Sequence, residues 1–392
     1  MLVLFLLVAG TLLGTRCTRR GADVQADQFP AVRAAFGTHI DLSQLANYAA
    51  QPRPAYITKD NTGANIISDA KATLGRVLFY DKSLSIDNSI SCGSCHRQTF
   101  AFSDTALQSA GVAGGRTGRH SMRLINARFA QERRFFWDER AQSLEAQTTM
   151  PIQDHAEMGF SGQNGRPGLP ALLTKLQGLP YYNELFRFVY GDIQVTESRM
   201  QECLSQFIRS IQSFDSKYDA GRAQAPNDGA PFANFTQQEN QGKGLFLAPP
   251  QFDATGSRTG GGLGCGGCHR APEFDIDPNS RNNGHISSPG STIPDLNNTR
   301  SPSLRDLLRP DGIVNGPMMH NGIARSLRQA VEHYNNITLS PLNTNLDPRL
   351  RPNGFGQRLQ LTPQETDAVV AFLRTLSGTQ VYSDARWSDP FR

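Results

Sequence analysis

A chain of 392 residues is too long for a single hydrophobic core and predicts two domains. Hydrophobic residues make up 38% and charged residues 19%, which fits a soluble globular protein and excludes a disordered or membrane-embedded one. The net charge of only +4, without a long basic block, gives no reason to expect a nucleic-acid partner.

In chain order, Leu2 to Leu13 form an uncharged apolar run that reads as an export signal or a short anchor. The run lacks a positive leader and is shorter than the ~20 residues of a membrane-spanning helix. Cys17 is a candidate lipidation site, although Arg16 is a poor match to the small residue expected before it. Residues 18 to about 65 show no strong periodicity and predict an extended lead-in. A helix is expected from near Asp69 through Leu74, Val77 and Leu78. The clearest helical signal covers 197–214, where Met200, Cys203, Leu204, Phe207, Ile208, Ile211 and Phe214 line one face. That placement makes Cys203 a buried core thiol. Asp219–Phe235, rich in Gly, Ala, Pro and Asn, reads as a linker. Thr236 and Glu239 form a capping box opening a helix toward Gly242, Leu245 and Phe246. A second box, Thr362 with Glu365, has Pro363 at the first helical position and predicts a helix through Val369, Val370, Phe372, Leu373 and Leu376 that stops at Gly378. Strand-like alternation is scarce, so the expected fold is mostly α.

Cys-x-x-Cys-His occurs twice, as Cys92-Gly-Ser-Cys95-His96 and Cys265-Gly-Gly-Cys268-His269. This composition gives about 0.002 such motifs per chain by chance, so the pair is informative. The motif attaches haem c: two thiols bond the porphyrin and the histidine ligates the iron from the proximal side. The alternative is a zinc or redox pair followed by histidine through coincidence, but zinc favours two closely spaced ligand pairs in one site. Two haem c groups and two cytochrome c-like helical domains are therefore expected, each domain enclosing one covalently bound haem. Four of the six cysteines are used in this way, and Cys17 and Cys203 make no disulfide framework. The 36 glycines and 23 prolines suit long ordered loops around a flat cofactor. The expected division is 1–20 as signal peptide or short anchor, 21–220 as the N-terminal haem domain, 221–235 as linker and 236–392 as the C-terminal haem domain. Haem c is normally assembled outside the cytoplasm, which agrees with export to the periplasm, free or membrane-anchored.

Between the motifs lie Arg134-Phe-Phe-Trp137-Asp-Glu-Arg140, Gln147, Pro151 and Ala156-Glu157-Met158-Gly159. This arrangement resembles the bacterial di-haem cytochrome c peroxidase and MauG family, over roughly residues 70–378. The resemblance implies that Glu157 is the general acid–base over the open face of the first haem. It makes Gln147 the group that orients bound peroxide or water, and Trp137 the electron relay between the haems. The bland alternatives are a surface glutamate, a loop glutamine and a core tryptophan. Many members carry a histidine some sixteen residues after the first motif that occupies the iron until the other haem is reduced. The corresponding stretch here, Gln108 to Gly115, has none, so the first haem is expected to be open in the resting protein. The nearest histidine, His120, aligns with a family asparagine that binds calcium between the domains; its bland reading is a polar loop residue. The resemblance makes Asn315 and Pro317 candidate calcium ligands, and the His-for-Asn exchange puts that ion in doubt.

Pro317-Met318-Met319-His320-Asn321-Gly322 is similar to the family loop that packs against the C-terminal haem. Tyr334 follows His320 by fourteen residues, where the family's peroxidases place a methionine ligand and MauG a tyrosine. Leu327, Ala330, Val331 and Tyr334 share a helical face that turns the tyrosine inward. A phenolate ligand favours oxidised iron and lowers its potential relative to methionine. A packed tyrosine, with Met318 or Met319 as ligand, is the alternative.

The leading expectation is a peroxidase-type oxidoreductase that reduces hydrogen peroxide to water at the N-terminal haem. Its electrons would arrive through the C-terminal haem from a small redox protein, a cytochrome c or a cupredoxin. The alternatives are MauG-like oxidation of a protein or organic substrate with high-valent iron, and a non-catalytic di-haem electron carrier. Against the carrier stand Glu157 and Gln147, which a carrier does not need. A homodimer, and anchoring through the N-terminus, are compatible with each reading.

Overall fold

The computed structural model describes residues 28–391, so the signal or anchor expected over 1–20 and the candidate lipidation site Cys17 lie outside the described residues. Among the described residues, no helix is long and apolar enough to cross a membrane. The regular structure is mostly helical. Seven helices surround a first core: α1 (Pro30–Phe36), α2 (Asp69–Tyr80), α3 (Cys92–Cys95), α4 (Leu144–Gln153), α5 (Leu169–Gln177), α6 (Pro180–Tyr190) and α7 (Glu197–Ser210). Around a second core stand α8 (Lys217–Arg222), α9 (Gln237–Leu247), α10 (Leu327–His333) and α11 (Pro363–Arg374). Strand structure is limited to two small antiparallel pairs, β1 (Pro250–Phe252) with β2 (Arg258–Gly261) and β3 (His269–Arg270) with β4 (Asp275–Ile276).

Each core is built on one close helix crossing. α2 packs on α7, and α9 packs on α11. At both crossings the packing requires a glycine. A methyl group on Gly75 would collide with the carbonyl of Cys203, and one on Gly242 with the carbonyl of Ala368. In each half, then, the helix that precedes a Cys-x-x-Cys-His motif lies backbone to backbone against the longer helix that closes the core. Side chains start these helices by accepting free amide protons. Thr196 caps α7, and full capping boxes open α9 at Thr236 and α11 at Thr362.

The structure departs from the sequence pattern at several ends. α7 stops at Ser210, because Ile211 and Ser213 leave the helix to pair with Asn126. α11 stops at Arg374, where the Thr375 hydroxyl donates to the carbonyl of Phe372. The extended lead-in contains α1, started by Pro30. The stretch expected to be a linker is built into the second core through Phe232, which packs on Tyr218 of α8, and Phe235, which packs on Phe232. Conversely, the segment 380–391, expected with the C-terminal domain, returns to the first core, where Val381 and Trp387 are buried. Large aromatic side chains decide both placements, since each removes much more apolar surface from water than the small residues around it.

Ion pairs tie the two halves. Lys59 meets Asp275 at 2.6 Å and Arg119 meets Asp295 at 2.6 Å, while within the second half the fully buried Arg305 meets Asp219 at 2.7 Å.

Candidate functional site

The first Cys-x-x-Cys-His motif is the single turn α3, opened by reciprocal capping between Ser91 and Ser94. Three-residue spacing on a helical turn puts Cys92 and Cys95 on one face; both are half-buried and free. His96 ends the turn, with Nδ1 at 3.1 Å from the carbonyl of Phe102. That bond fixes the ring and turns Nε2 to the side on which a haem iron would be bound. The second motif is a 3₁₀ turn entered through Gly264 at φ 72°. His269 starts β3 opposite Ile276, and its Nδ1 is buried without a hydrogen-bond partner. A cavity of about 670 Å³, lined by Cys265, Cys268, His269, Met319, Tyr334 and Trp137, adjoins this turn. Two free thiols and one imidazole at each motif, with a large and mainly apolar cavity at the second, fit haem c.

Glu157 lies in the turn after α4. The amides of Ala156 and Glu157 donate to the Asp154 carboxylate at 2.8 and 3.0 Å, and the amide of Val112 donates to the Glu157 carbonyl at 3.0 Å. Gly111 and Gly115 pack against the backbone of Ala156, so the histidine-free loop after the first motif rests on this turn. Burial, helped by the Asp154 charge and opposed by Arg140, pushes the Glu157 carboxyl up to about 7. The Cys95 sulfur is 3.9 Å from the carbonyl of Ala110, next to the Gly111 and Val112 that rest on this turn, so the turn lies beside the first motif. Gln147 is a half-buried residue of α4.

Trp137 lies at the junction of the two halves, on the wall of the second cavity. Its indole N–H donates to the carbonyl of His120 at 2.7 Å, and the amide of Arg300 donates to its own carbonyl at 3.0 Å. His120 in turn donates its amide to the carbonyl of His320 at 2.8 Å, and the rings of Trp137 and His320 are 6.2 Å apart.

Tyr334 caps α10 and faces the second cavity, where burial pushes its phenol up. Asn283 stands between the two candidate ligands: its side-chain amide is 3.4 Å from the Tyr334 hydroxyl and 3.2 Å from the Met319 sulfur. No motif singled out Asn283; it sits in an irregular loop, and only the fold brings it to the cavity.

The candidate calcium ligands Asn315 and Pro317 flank Gly316 on the loop that faces His120. The Asn315 amide nitrogen donates to the carbonyl of Asp306 at 2.7 Å and to the Tyr382 hydroxyl at 2.8 Å, while its side-chain oxygen is buried without a hydrogen-bond partner. Between Asn315 and Pro317, Gly316 packs on the backbone of Asp104 and faces the imidazole of His120. Among the described residues, no cluster of three acidic, histidine or cysteine side chains can hold a metal ion. Calcium takes six to eight oxygen ligands, and an imidazole is a poor member of such a set.

Comparison with known proteins agrees with this geometry. The family model for di-haem cytochrome c peroxidase matches residues 69–225. The methylamine utilization protein MauG of Methylophilus methylotrophus is 27% identical over 83% of this chain and 89% of its own length. Cytochrome c551 peroxidase of Nitrosomonas europaea is 26% identical over 79% of this chain and 80% of its own. The crystal structure of a MauG-like protein associated with microbial copper homeostasis superposes with a TM-score of 0.64 at 24% identity, covering 87% of this chain and 99% of that one. Residues 69–225 thus match the family of di-haem cytochrome c peroxidases, and most of the chain is similar to oxidoreductases named both cytochrome c peroxidase and MauG.

Proposed function

We propose that the protein is a di-haem c-type peroxidase that reduces hydrogen peroxide to water at its N-terminal site, with electrons entering through its C-terminal site. Cys92, Cys95 and His96 would hold the first haem; Cys265, Cys268 and His269 would hold the second, with Tyr334 on its other face. When bound, the haems supply iron that exchanges electrons one at a time and, where an axial position is open, admits the oxidant. Cleaving the peroxide O–O bond requires a proton to move from the inner to the outer oxygen. A carboxyl poised near 7 takes and returns that proton at neutral pH, and this is the role of Glu157. Gln147 orients the bound oxygen atoms through its amide. Trp137, held against His120 at the junction, relays electrons between the sites.

The observation that carries this reading is the placement of the half-buried Glu157 on a turn packed against the loop beside Cys95, where burial raises its carboxyl. Steady-state peroxide consumption with a reduced cytochrome c or cupredoxin, alongside the resting electronic spectrum, tests it. A protein whose iron is all low-spin and indifferent to peroxide would be a carrier instead. Export to the periplasm and one haem per core belong to the same proposal.

A second reading, MauG-like oxidation of a protein or organic substrate, is favoured by the Tyr334 phenol in the second cavity with Asn283 beside it. Turnover that needs no reduced donor protein, yet modifies an organic substrate at the expense of peroxide, would select it.

A further inference from the structure

We propose that His120 takes the place of a bridging cation at the junction of the two halves, so that the position of Trp137 is set by an imidazole and does not depend on calcium.

The ring lies where three pieces of chain converge. Its Nδ1 is 2.9 Å from the carbonyl of Ala106, and its Nε2 faces the Ser103 hydroxyl at 3.5 Å. A methyl group built on Gly316 would be 3.6 Å from Nε2, so the imidazole sits directly against the loop 315–317 of the other half. Only a ring protonated at Nδ1 can donate to the Ala106 carbonyl, and Nε2 faces a hydroxyl whose own proton goes to the carbonyl of Ser121 at 3.1 Å.

The carboxylates nearby are committed to other partners, and of the loop 315–317 only the Asn315 side-chain oxygen is buried without one, far short of the six to eight oxygens calcium takes. Asp104 is paired with Arg97 at 2.5 Å and accepts from Ser109 at 2.6 Å. Asp295 is held by the Arg119 guanidinium at 2.6 and 3.0 Å, and that same guanidinium engages Asp138 at 2.8 Å. Each carboxylate near the ring is thus already neutralised, and a guanidinium stands one residue from His120. A divalent ion brought here would meet an imidazole, a nearby fixed cation and no free carboxylate.

The backbone of His120 then transmits the ring's position. Its carbonyl holds the Trp137 indole and its amide binds the His320 carbonyl, so the imidazole clamps loop 103–106, the indole and the second cavity's wall into one unit. His120 is a positioning residue: it acts on electron relay through Trp137.

The test compares wild type with His120→Asn, which replaces the ring by a smaller side chain with an oxygen donor. Both holoproteins are dialysed against a calcium chelator and titrated with calcium chloride, following bound metal, melting temperature and the rate of electron transfer between the haems. Wild type should contain less than about 0.1 calcium per chain and respond to neither treatment. His120→Asn should melt lower and transfer electrons more slowly without calcium, and calcium should restore both. His120→Gln, with the same amide on a longer stem, serves if the asparagine variant does not fold. One tightly held calcium per wild-type chain, or a chelator-sensitive wild-type spectrum, would overturn the proposal. A folded His120→Asn that ignores calcium would overturn it too.

Discussion

Replacing Glu157 by glutamine removes the proton carrier while keeping shape and hydrogen-bonding capacity, and its effects can be worked out from the carboxyl's environment. Burial lifts that carboxyl from its ordinary 4.5 to about 7. The ionised fraction is then about half at neutral pH and about a tenth one unit lower. If the carboxylate is the base, kcat/KM for peroxide should fall about tenfold per pH unit below 7 and level off above it. Glu157→Gln should lose this limb, with turnover ~10²–10⁴-fold lower and both haems still bound. Stability gives an independent readout. The folded value lies above the unfolded one, so the stability linked to this group is complete below about 4.5 and is lost as pH rises through about 7. The full shift corresponds to ~3 kcal/mol. Solvent screening of a half-buried group reduces this to ~1–2 kcal/mol. The glutamine variant should therefore melt ~2–6 °C higher than wild type at alkaline pH and show no gain in mild acid. The assays are peroxide consumption across this pH range and thermal melts at both ends. A flat wild-type profile, or a variant that keeps the acidic limb, refutes the assignment.

The mature protein should exceed its polypeptide mass by two haems that survive acid–acetone extraction; a single retained haem contradicts the two-site architecture. Because loop 108–115 offers no histidine and rests on the Glu157 turn, peroxide should react with the fully oxidised protein without prior reduction, seen as an immediate change in the resting spectrum. Tyr334→Met should raise the potential of the second haem, and Asn283→Leu, which removes a donor 3.4 Å from the phenol oxygen, should lower it; spectra and potentials unchanged in both would reduce the tyrosine to packing. Gly242→Ala must separate α9 from α11 and should destabilise by ~1–3 kcal/mol, measured by denaturant titration, despite the better helix propensity of alanine.

Local chemistry made part of this protein legible. The capping boxes at Thr236 and Thr362, and the apolar stripe from Met200 to Ile208, are short-range signals, and the helices begin where they point. The haem turns were equally plain, because their chemistry needs fixed residue types at fixed spacing. Tertiary decisions were harder to read. Phe232 and Phe235 sit in a stretch whose composition says loop, yet two phenyl rings were enough to draw it into a core. Asn283 comes within reach of Tyr334 only because a long irregular segment folds over the cavity. The resemblance brought His120 to notice as a departure from pattern, while its contacts with Ala106 and the Gly316 loop depended on how the two halves meet.

The segment 380–391 laces the first core shut from the far end of the sequence. The Tyr48 hydroxyl donates to the carbonyl of Arg386, the Tyr80 hydroxyl to that of Trp387, and Arg76 grips Ser388. Tyr80 is also the residue against which Gly93 of the first haem turn packs. A ribosome therefore releases the N-terminal half with a face still open, and that half cannot reach its final packing until residues near 390 have been delivered. Sequence-distant closure of this kind slows folding and couples the two halves into one cooperative unit. Dividing the gene between the halves would separate the first haem pocket from its own closing strap.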